Sequence, residues 1–174
     1  ELKDVNQIFC NQQAFAALKA DGSVITWGDS GDGGDSSTVA SSLSSGVERI
    51  FSTTRAFAAL KTDGSVITWG NSDSGGDSSS ISSSLNSNVI NIFSNRESFA
   101  AIKSDGSVIT WGDSGDGGDS STVASFLSSG VSKIFSTGGA FAALKSDGSV
   151  VTWGYSDAAD SSAVRTSLSS GVSK

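Results

Sequence analysis

The residues best suited to chemistry are aspartates set among glycine and serine. Asp29, Asp32 and Asp35 lie within seven residues in "WGDSGDGGDSS", and Asp113, Asp116 and Asp119 repeat them. Carboxylates and carbonyls on a glycine-rich loop are the oxygen donors a hard cation such as Ca²⁺ takes. The spacing is not that of an EF-hand loop. The corresponding loops elsewhere are thinner in acid, with Asp73 and Asp77 in one and Asp157 and Asp160 in the other. The competing reading is structural: Asp35 and its equivalents accept backbone N–H bonds and cap the segment that follows. No cofactor is required by the sequence, and calcium is the one candidate.

A second set is polar and variable. Between near-constant flanks, "IFS" or "IFC" and "AFAAL" or its variants, stand Asn11-Gln12-Gln13, Thr53-Thr54-Arg55, Asn95-Arg96-Glu97 and Thr137-Gly138-Gly139. A constant frame carrying varied polar loops is how repeat folds recognise partners. Neutral drift is the alternative, and in so serine-rich a chain Arg55, Arg96 and Glu97 are unusual products of drift. Trp27, Trp69, Trp111 and Trp153 form a third set, able to stack sugars or cluster. One Trp per unit at a fixed strand position is better read as a packing anchor.

Catalysis finds little purchase. The chain has no His, the commonest general base, and no nucleophile-elbow motif. Lys19, Lys61, Lys103 and Lys145 recur just before a turn and read as exposed turn residues. The chain is expected to be non-enzymatic. A glycan-processing enzyme or calcium-assisted lectin using the acidic loops is the alternative.

These residues need elements to hold them, and a repeat supplies those. The Asp-Gly-Ser triplets begin at Asp21, Asp63, Asp105 and Asp147, a step of 42 residues shared by the four tryptophans. The units run over residues 5–46, 47–88, 89–130 and 131–172, and the fourth lacks one residue after Trp153. A period of this length suits one supersecondary unit that buries its open face on the next copy. "VERIFS" and "AFAALK" are short apolar runs, Lys-x-Asp-Gly predicts a tight hairpin turn, and "SVITWG" is rich in β-branched and aromatic residues. Both faces of that last strand are largely apolar, which predicts cover on both sides. "SSTVASSLSSG" predicts one or two helical turns ended by Gly46, or an irregular outer strand.

These residues resemble a known family. "FAALKxDGSVITWGDSxxGG", preceded by "VxxIFS" and followed by "V…L…GV", is similar to the regulator of chromosome condensation repeat, from Val5 to Val172. The resemblance implies an all-β fold in which four tandem repeats act as blades of a β-propeller or a propeller segment. A β-solenoid is the architectural rival. The chromatin and exchange-factor activities of the founding members do not carry over, because no functional residue matches and the basic surface is missing.

A net charge of −7 with only 11 Lys and Arg disfavours nucleic acid and anionic membrane as partners. No apolar run is long enough for a membrane span. Cys10 is the only cysteine, so neither a disulfide framework nor a thiolate metal site is expected, and it reads as a small residue at a strand end. Opening on Glu1 and not Met suggests a processed product or a piece of something longer. The expected role is a structural or adhesive module, extracellular or on a cell surface, of microbial origin. Its variable loops would bind protein or glycan. Closure into a ring, self-association with another copy and an open filament all stay open at this point.

Overall fold

The computed structural model describes residues 3–164 and 167–172. Glu1, Leu2, Ser173 and Lys174 lie outside these, as do Arg165 and Thr166 of the fourth repeat. Contacts divide the chain into two compact units, Glu1–Val89 and Ile90–Lys174.

Each repeat folds into a three-stranded antiparallel sheet whose strands neighbour one another in sequence order. In the first unit, β1 (Val5–Cys10), β2 (Ala14–Lys19) and β3 (Val24–Gly28) form one sheet. A second comprises β4 (Val47–Ser52), β5 (Ala56–Lys61) and β6 (Val66–Gly70). The second unit repeats the plan. It holds β7 (Val89–Ser94, begun by the last residue of the first unit), β8 (Ser98–Lys103) and β9 (Val108–Gly112), then β10 (Val131–Ser136), β11 (Ala140–Lys145) and β12 (Val150–Gly154).

The hairpin between the second and third strands shows why Lys-x-Asp-Gly recurs. The Gly22 N–H donates to the Lys19 carbonyl at 3.0 Å, and the Lys19 N–H donates to Ser23 at 2.9 Å. Gly22 has φ +76°, the left-handed value this turn needs at its last position. The aspartate does not share that conformation. Its Oδ1 accepts from the Ser23 N–H at 3.0 Å and the Ser23 hydroxyl at 2.6 Å, pinning the turn from its side chain.

The same turn ties each repeat to the strand that follows. The Val47 N–H donates to the Gly22 carbonyl, and the Val89, Val131 and Val172 N–H groups do the same to Gly64, Gly106 and Gly148, each at 3.0 Å. Immediately before these valines the chain needs a left-handed residue. Gly46, Gly130 and Gly171 meet the need, while Asn88 (φ +65°) and Asp4 (φ +60°) substitute with residues that tolerate it.

The serine-rich segment is helical, not an outer strand. Ser37–Val39 forms a 3₁₀ turn and Ser82–Leu85 a turn of α-helix. Leu43 and Leu85 at the ends of these segments are 1% exposed, and the Leu43 carbonyl accepts the Val24 N–H at 2.9 Å.

The core lies between successive repeats within each unit. In the first unit, Ala14, Ala16, Leu18 and Leu43 of one repeat pack with Ile50, Phe57, Ala59 and Trp69 of the next. The second unit reproduces this with Ala100, Ile102 and Leu127 against Ile134, Phe141, Ala143 and Trp153. Phe57 and Trp69 face each other across β5 and β6 and stack at 5.3 Å between ring centroids, as do Phe141 and Trp153. The indole N–H of Trp69 donates to the carbonyl of Gly33 in the preceding repeat at 3.1 Å, and that of Trp153 donates to Gly117 at 3.0 Å. The tryptophans are thus packing anchors.

A Cβ on Gly33 would sit 2.8 Å from the Phe57 ring, and one on Gly117 2.9 Å from Phe141. Both glycines also have φ near +100°. Replacing either by alanine therefore adds left-handed strain to overpacking. Gly33→Ala is expected to lower unfolding free energy by about 2–4 kcal/mol. Gly31→Ala, at a glycine in the same loop where a Cβ would meet only the Asp29 carboxylate, is expected to stay within about 0.5 kcal/mol. Urea titration followed by Trp fluorescence compares the two.

Candidate functional site

The varied triplets and the acidic loops form one site in each repeat. The triplet joins the first strand to the second, and the acidic loop leaves the third strand beside it. A backbone bond clamps them: the Asp29 N–H donates to the Gln13 carbonyl at 2.9 Å, with the same bond from Asn71 to Arg55, Asp113 to Glu97 and Tyr155 to Gly139. The loop itself is one wide turn, closed by the Gly34 N–H on the Asp29 carbonyl at 2.7 Å.

The first residue of the triplet is a pin. Asn11 accepts the Ala14 N–H on Oδ1 at 2.7 Å and donates from Nδ2 to the Asp32 carbonyl at 2.7 Å. Asn95 does the same with Ser98 and Asp116. Thr53, expected on an accessible rim, is instead only 4% exposed, because its hydroxyl accepts the Ala56 N–H and donates to the Ser74 carbonyl. A short polar side chain is needed here to hold the acidic loop against its own repeat, so this position is not free to vary. Gln12, Gln13, Arg55 and Arg96 are exposed, and Thr54 and Glu97 are half-buried. Adjacent triplets meet through the backbone within each unit, Gln12 N–H to Thr54 carbonyl at 3.1 Å and Arg96 N–H to Gly138 carbonyl at 3.2 Å.

The aspartates divide into three roles. Asp29 Oδ1 caps the Gly31 and Asp32 N–H groups, and Asp113 caps Asp116. Asp35 and Asp119 accept the Ser37 and Ser121 N–H groups at the start of the helical segment, as do Asp77 and Asp160 in the other loops. This is the capping role set beside calcium in the sequence reading. The middle aspartate turns inward. Asp32 is 1% exposed and receives Arg55 Nε on Oδ1 at 2.9 Å and Gln13 Nε2 on Oδ2 at 3.2 Å. Asp116 receives Arg96 Nη2 at 3.4 Å. Among the described residues no three acidic, His or Cys side chains gather into a metal-ligating group. For Asp32 to coordinate Ca²⁺, its pair with Arg55 would have to open.

The two ion pairs are built differently. Arg55 belongs to the second repeat and reaches back to the loop of the first. Arg96 and Asp116 belong to the same repeat, and the next repeat offers only Gly138 and Gly139 at that place. A Cβ on Gly139 would meet Asp116 Oδ1 at 2.9 Å, so the missing side chain leaves the carboxylate its space. Both arginines and both aspartates stand out in the sequence, but their meeting does not. Arg55 and Asp32 are 23 residues apart, Arg96 and Asp116 only 20, so no single spacing reveals the pairing.

Aspartates that accept from the hydroxyl and N–H of a serine two residues on are held below the usual carboxylate range. Asp21 is pulled down to about 2, first by the Ser23 hydroxyl and then by its N–H, with Lys19 adding less. Asp63, Asp105 and Asp147 are lowered by the matching serines. Asp35, Asp77, Asp119 and Asp160 are lowered first by the backbone N–H they cap.

No family model matches the chain, and no curated protein matches it in sequence. Solved structures do match in shape. Human WBSCR16 is 23% identical over 86% of this chain and 47% of its own, with a TM-score of 0.53. Prp20p of Saccharomyces cerevisiae is 13% identical over 91% and 47%, at 0.58. The CRINKLY WD40 ectodomain of the Arabidopsis thaliana receptor kinase ACR4 is 16% identical over 86% and 52%, at 0.52. The four sheets are β-propeller blades. The chain spans about half the length of these propellers.

Two outcomes follow from the site. Arg55→Ala leaves a buried carboxylate with Gln13 alone and is expected to cost about 1–3 kcal/mol of stability. Arg96→Ala removes a longer bond from an arginine whose side chain is 64% exposed, and is expected to cost about 0–1 kcal/mol. Denaturant midpoints of the two variants test that order. The depressed aspartates set the acid response. A carboxyl lowered in the folded state stabilises fully above its unfolded value near 4, and that contribution disappears as pH falls toward 2. Calorimetric Tm should therefore fall between about pH 4 and pH 2, and fall less steeply in a variant with Ser23, Ser65, Ser107 and Ser149 all changed to Ala.

Proposed function

We propose that this chain is a non-enzymatic repeat module that binds another protein through the triplet-and-loop surface of its blades. The observation that carries this reading is the pair of arginines. Asp32 fixes Arg55 through Nε while the Arg55 side chain stays 46% exposed, and Asp116 holds Arg96 at 64% exposure. An anchored yet accessible guanidinium is a common hot-spot group, because little side-chain entropy is lost when a partner engages its remaining donors. The Gln13 amide shares the Asp32 carboxylate with Arg55, and the exposed Gln12 before it adds hydrogen-bonding capacity without charge. The partner surface that fits is one presenting carboxylates or backbone carbonyls.

The propeller neighbours support protein as the partner class. Prp20p binds Gsp1p and histones, and yeast RCC1 (Prp20) has been solved with Kap60 bound. On this chain a net charge of −7 leaves the arginines as isolated positive points.

The test is affinity capture with the immobilised chain, identification of the bound proteins and calorimetric titration of each. Arg55→Ala combined with Arg96→Ala is expected to weaken binding at least about tenfold. A bound protein whose affinity ignores both substitutions, or the absence of any bound protein, overturns the reading.

A further inference from the structure

The junction inside the first unit and the junction inside the second carry the same acidic loop but not the same charge. In the first, Asp32 is met by Arg55 of the following repeat and by the neutral amide of Gln13. One carboxylate faces one guanidinium, and the cluster is neutral. In the second, two repeats on, Gly139 stands in the place of Arg55 and Glu97 in the place of Gln13. The aspartate persists as Asp116. Arg96 reaches it from the same repeat, with Nη2 at 3.4 Å from Asp116 Oδ2 and Nε at 3.8 Å from Glu97 Oε1. One guanidinium now serves two carboxylates, so one negative charge is left over.

The surplus is exposed at a defined atom. The Asp116 side chain is 10% exposed, and its backbone carbonyl is held by Asn95 and Ser98. Among the described residues, the only hydrogen bond to its carboxylate goes to Oδ2. Also among the described residues, no enclosed side-chain oxygen lacks a partner, so Oδ1 opens to solvent. It opens beside the two glycines. A Cβ on Gly139 would lie 2.9 Å from Oδ1, and a Cβ on Gly138 would meet nothing within 4 Å. Oδ1 is also the atom that takes Arg55 Nε in the first junction, through Asp32. The rim is completed by Tyr155, whose N–H donates to the Gly139 carbonyl at 2.8 Å. Tyr155 is 55% exposed and stands where the other loops carry Asp29, Asn71 and Asp113. All these walls come from the third and fourth repeats, inside one unit.

We propose that this notch takes the guanidinium of an arginine side chain carried by a bound protein. The partner would supply from outside the cation that Arg55 supplies from within the chain at the first junction. This rests on the chain being a protein-binding module, and it gives the partner a basic residue to set beside the groups that meet Arg55. A guanidinium fits better than a compact ammonium, because it spreads its donors over two carboxylates and packs on an aromatic neighbour. A hard metal ion fits less well, since Arg96 already lies against both carboxylates.

The probe is the capped tripeptide acetyl-Gly-Arg-Gly-amide, followed through the backbone amide resonances of Gly138 and Gly139 in the isotope-labelled chain. Saturable shifts are expected with a dissociation constant of about 1 mM, weakening as salt is raised. The citrulline peptide, alike in shape but uncharged, is expected to bind at least about tenfold more weakly. Gly139→Arg puts the chain's own guanidinium where Arg55 stands in the first junction and should abolish binding. Glu97→Gln restores the amide of the first junction, disturbs no packing glycine, and should weaken binding about threefold. Absence of saturation, equal affinity for the two peptides, or an affinity that ignores Glu97→Gln overturns the proposal. The protein-binding reading fails separately. A captured protein weakened by Arg55→Ala with Arg96→Ala, yet indifferent to Gly139→Arg, upholds that reading and overturns this site.

Discussion

The contact on which the rest of each unit depends is an aromatic pair seated on a bare backbone. Phe57 and Trp69 stack on each other, and the indole N–H of Trp69 reaches the Gly33 carbonyl of the preceding repeat. The seat works only because Gly33 has no side chain and takes a left-handed conformation. That requirement explains the Gly-Gly of the acidic loop. The loop must bring its backbone within van der Waals distance of the next repeat's rings, and its aspartates then satisfy the N–H groups the tight path exposes. Burial, hydrogen bonding and turn geometry are met by one short stretch of chain.

The same economy governs the polar surface. A loop that packs on the next repeat cannot also be loose, so the middle aspartate is drawn inward and requires a cation or an amide donor. Arg55 and Gln13 supply these at the first loop, and Arg96 at the third. At the second loop the aspartate is replaced by Ser74, 1% exposed, whose carbonyl takes the Thr53 hydroxyl. The exposed chemistry of the blade ends is therefore set by the triplets that anchor each loop: the first and third loops share one sequence, but their triplets differ.

Much of this was legible in the sequence. The 42-residue step, the strands, the hairpin turn and the tryptophan anchor all follow from residue types whose local preferences agree with the fold. Capping by Asp35 and its equivalents was legible too, since an aspartate two residues before a helical turn has few other uses. What the sequence hid is long-range. Asp32 and Asp116 sit in loops identical in sequence, yet one pairs with an arginine of the next repeat and the other with its own. Local chemistry cannot distinguish them, because the difference comes from which side chains the neighbouring triplets bring. The three carboxylates of the first loop, near one another in sequence, take separate partners once the turn is formed. Thr53 was misplaced on the accessible surface for the converse reason, because a small polar residue in a loop looks exposed until its two bonds are seen.

The unequal ion pairs bear on how such a chain finds its order. Modules this alike can assemble in the wrong sequence, since the apolar surface of any one matches that of any other. Asp32 with Arg55 makes the junction of the first two modules chemically distinct from one where glycines stand opposite the carboxylate. A misplaced module would strand a charge away from water, and that penalty gives near-identical blades an address.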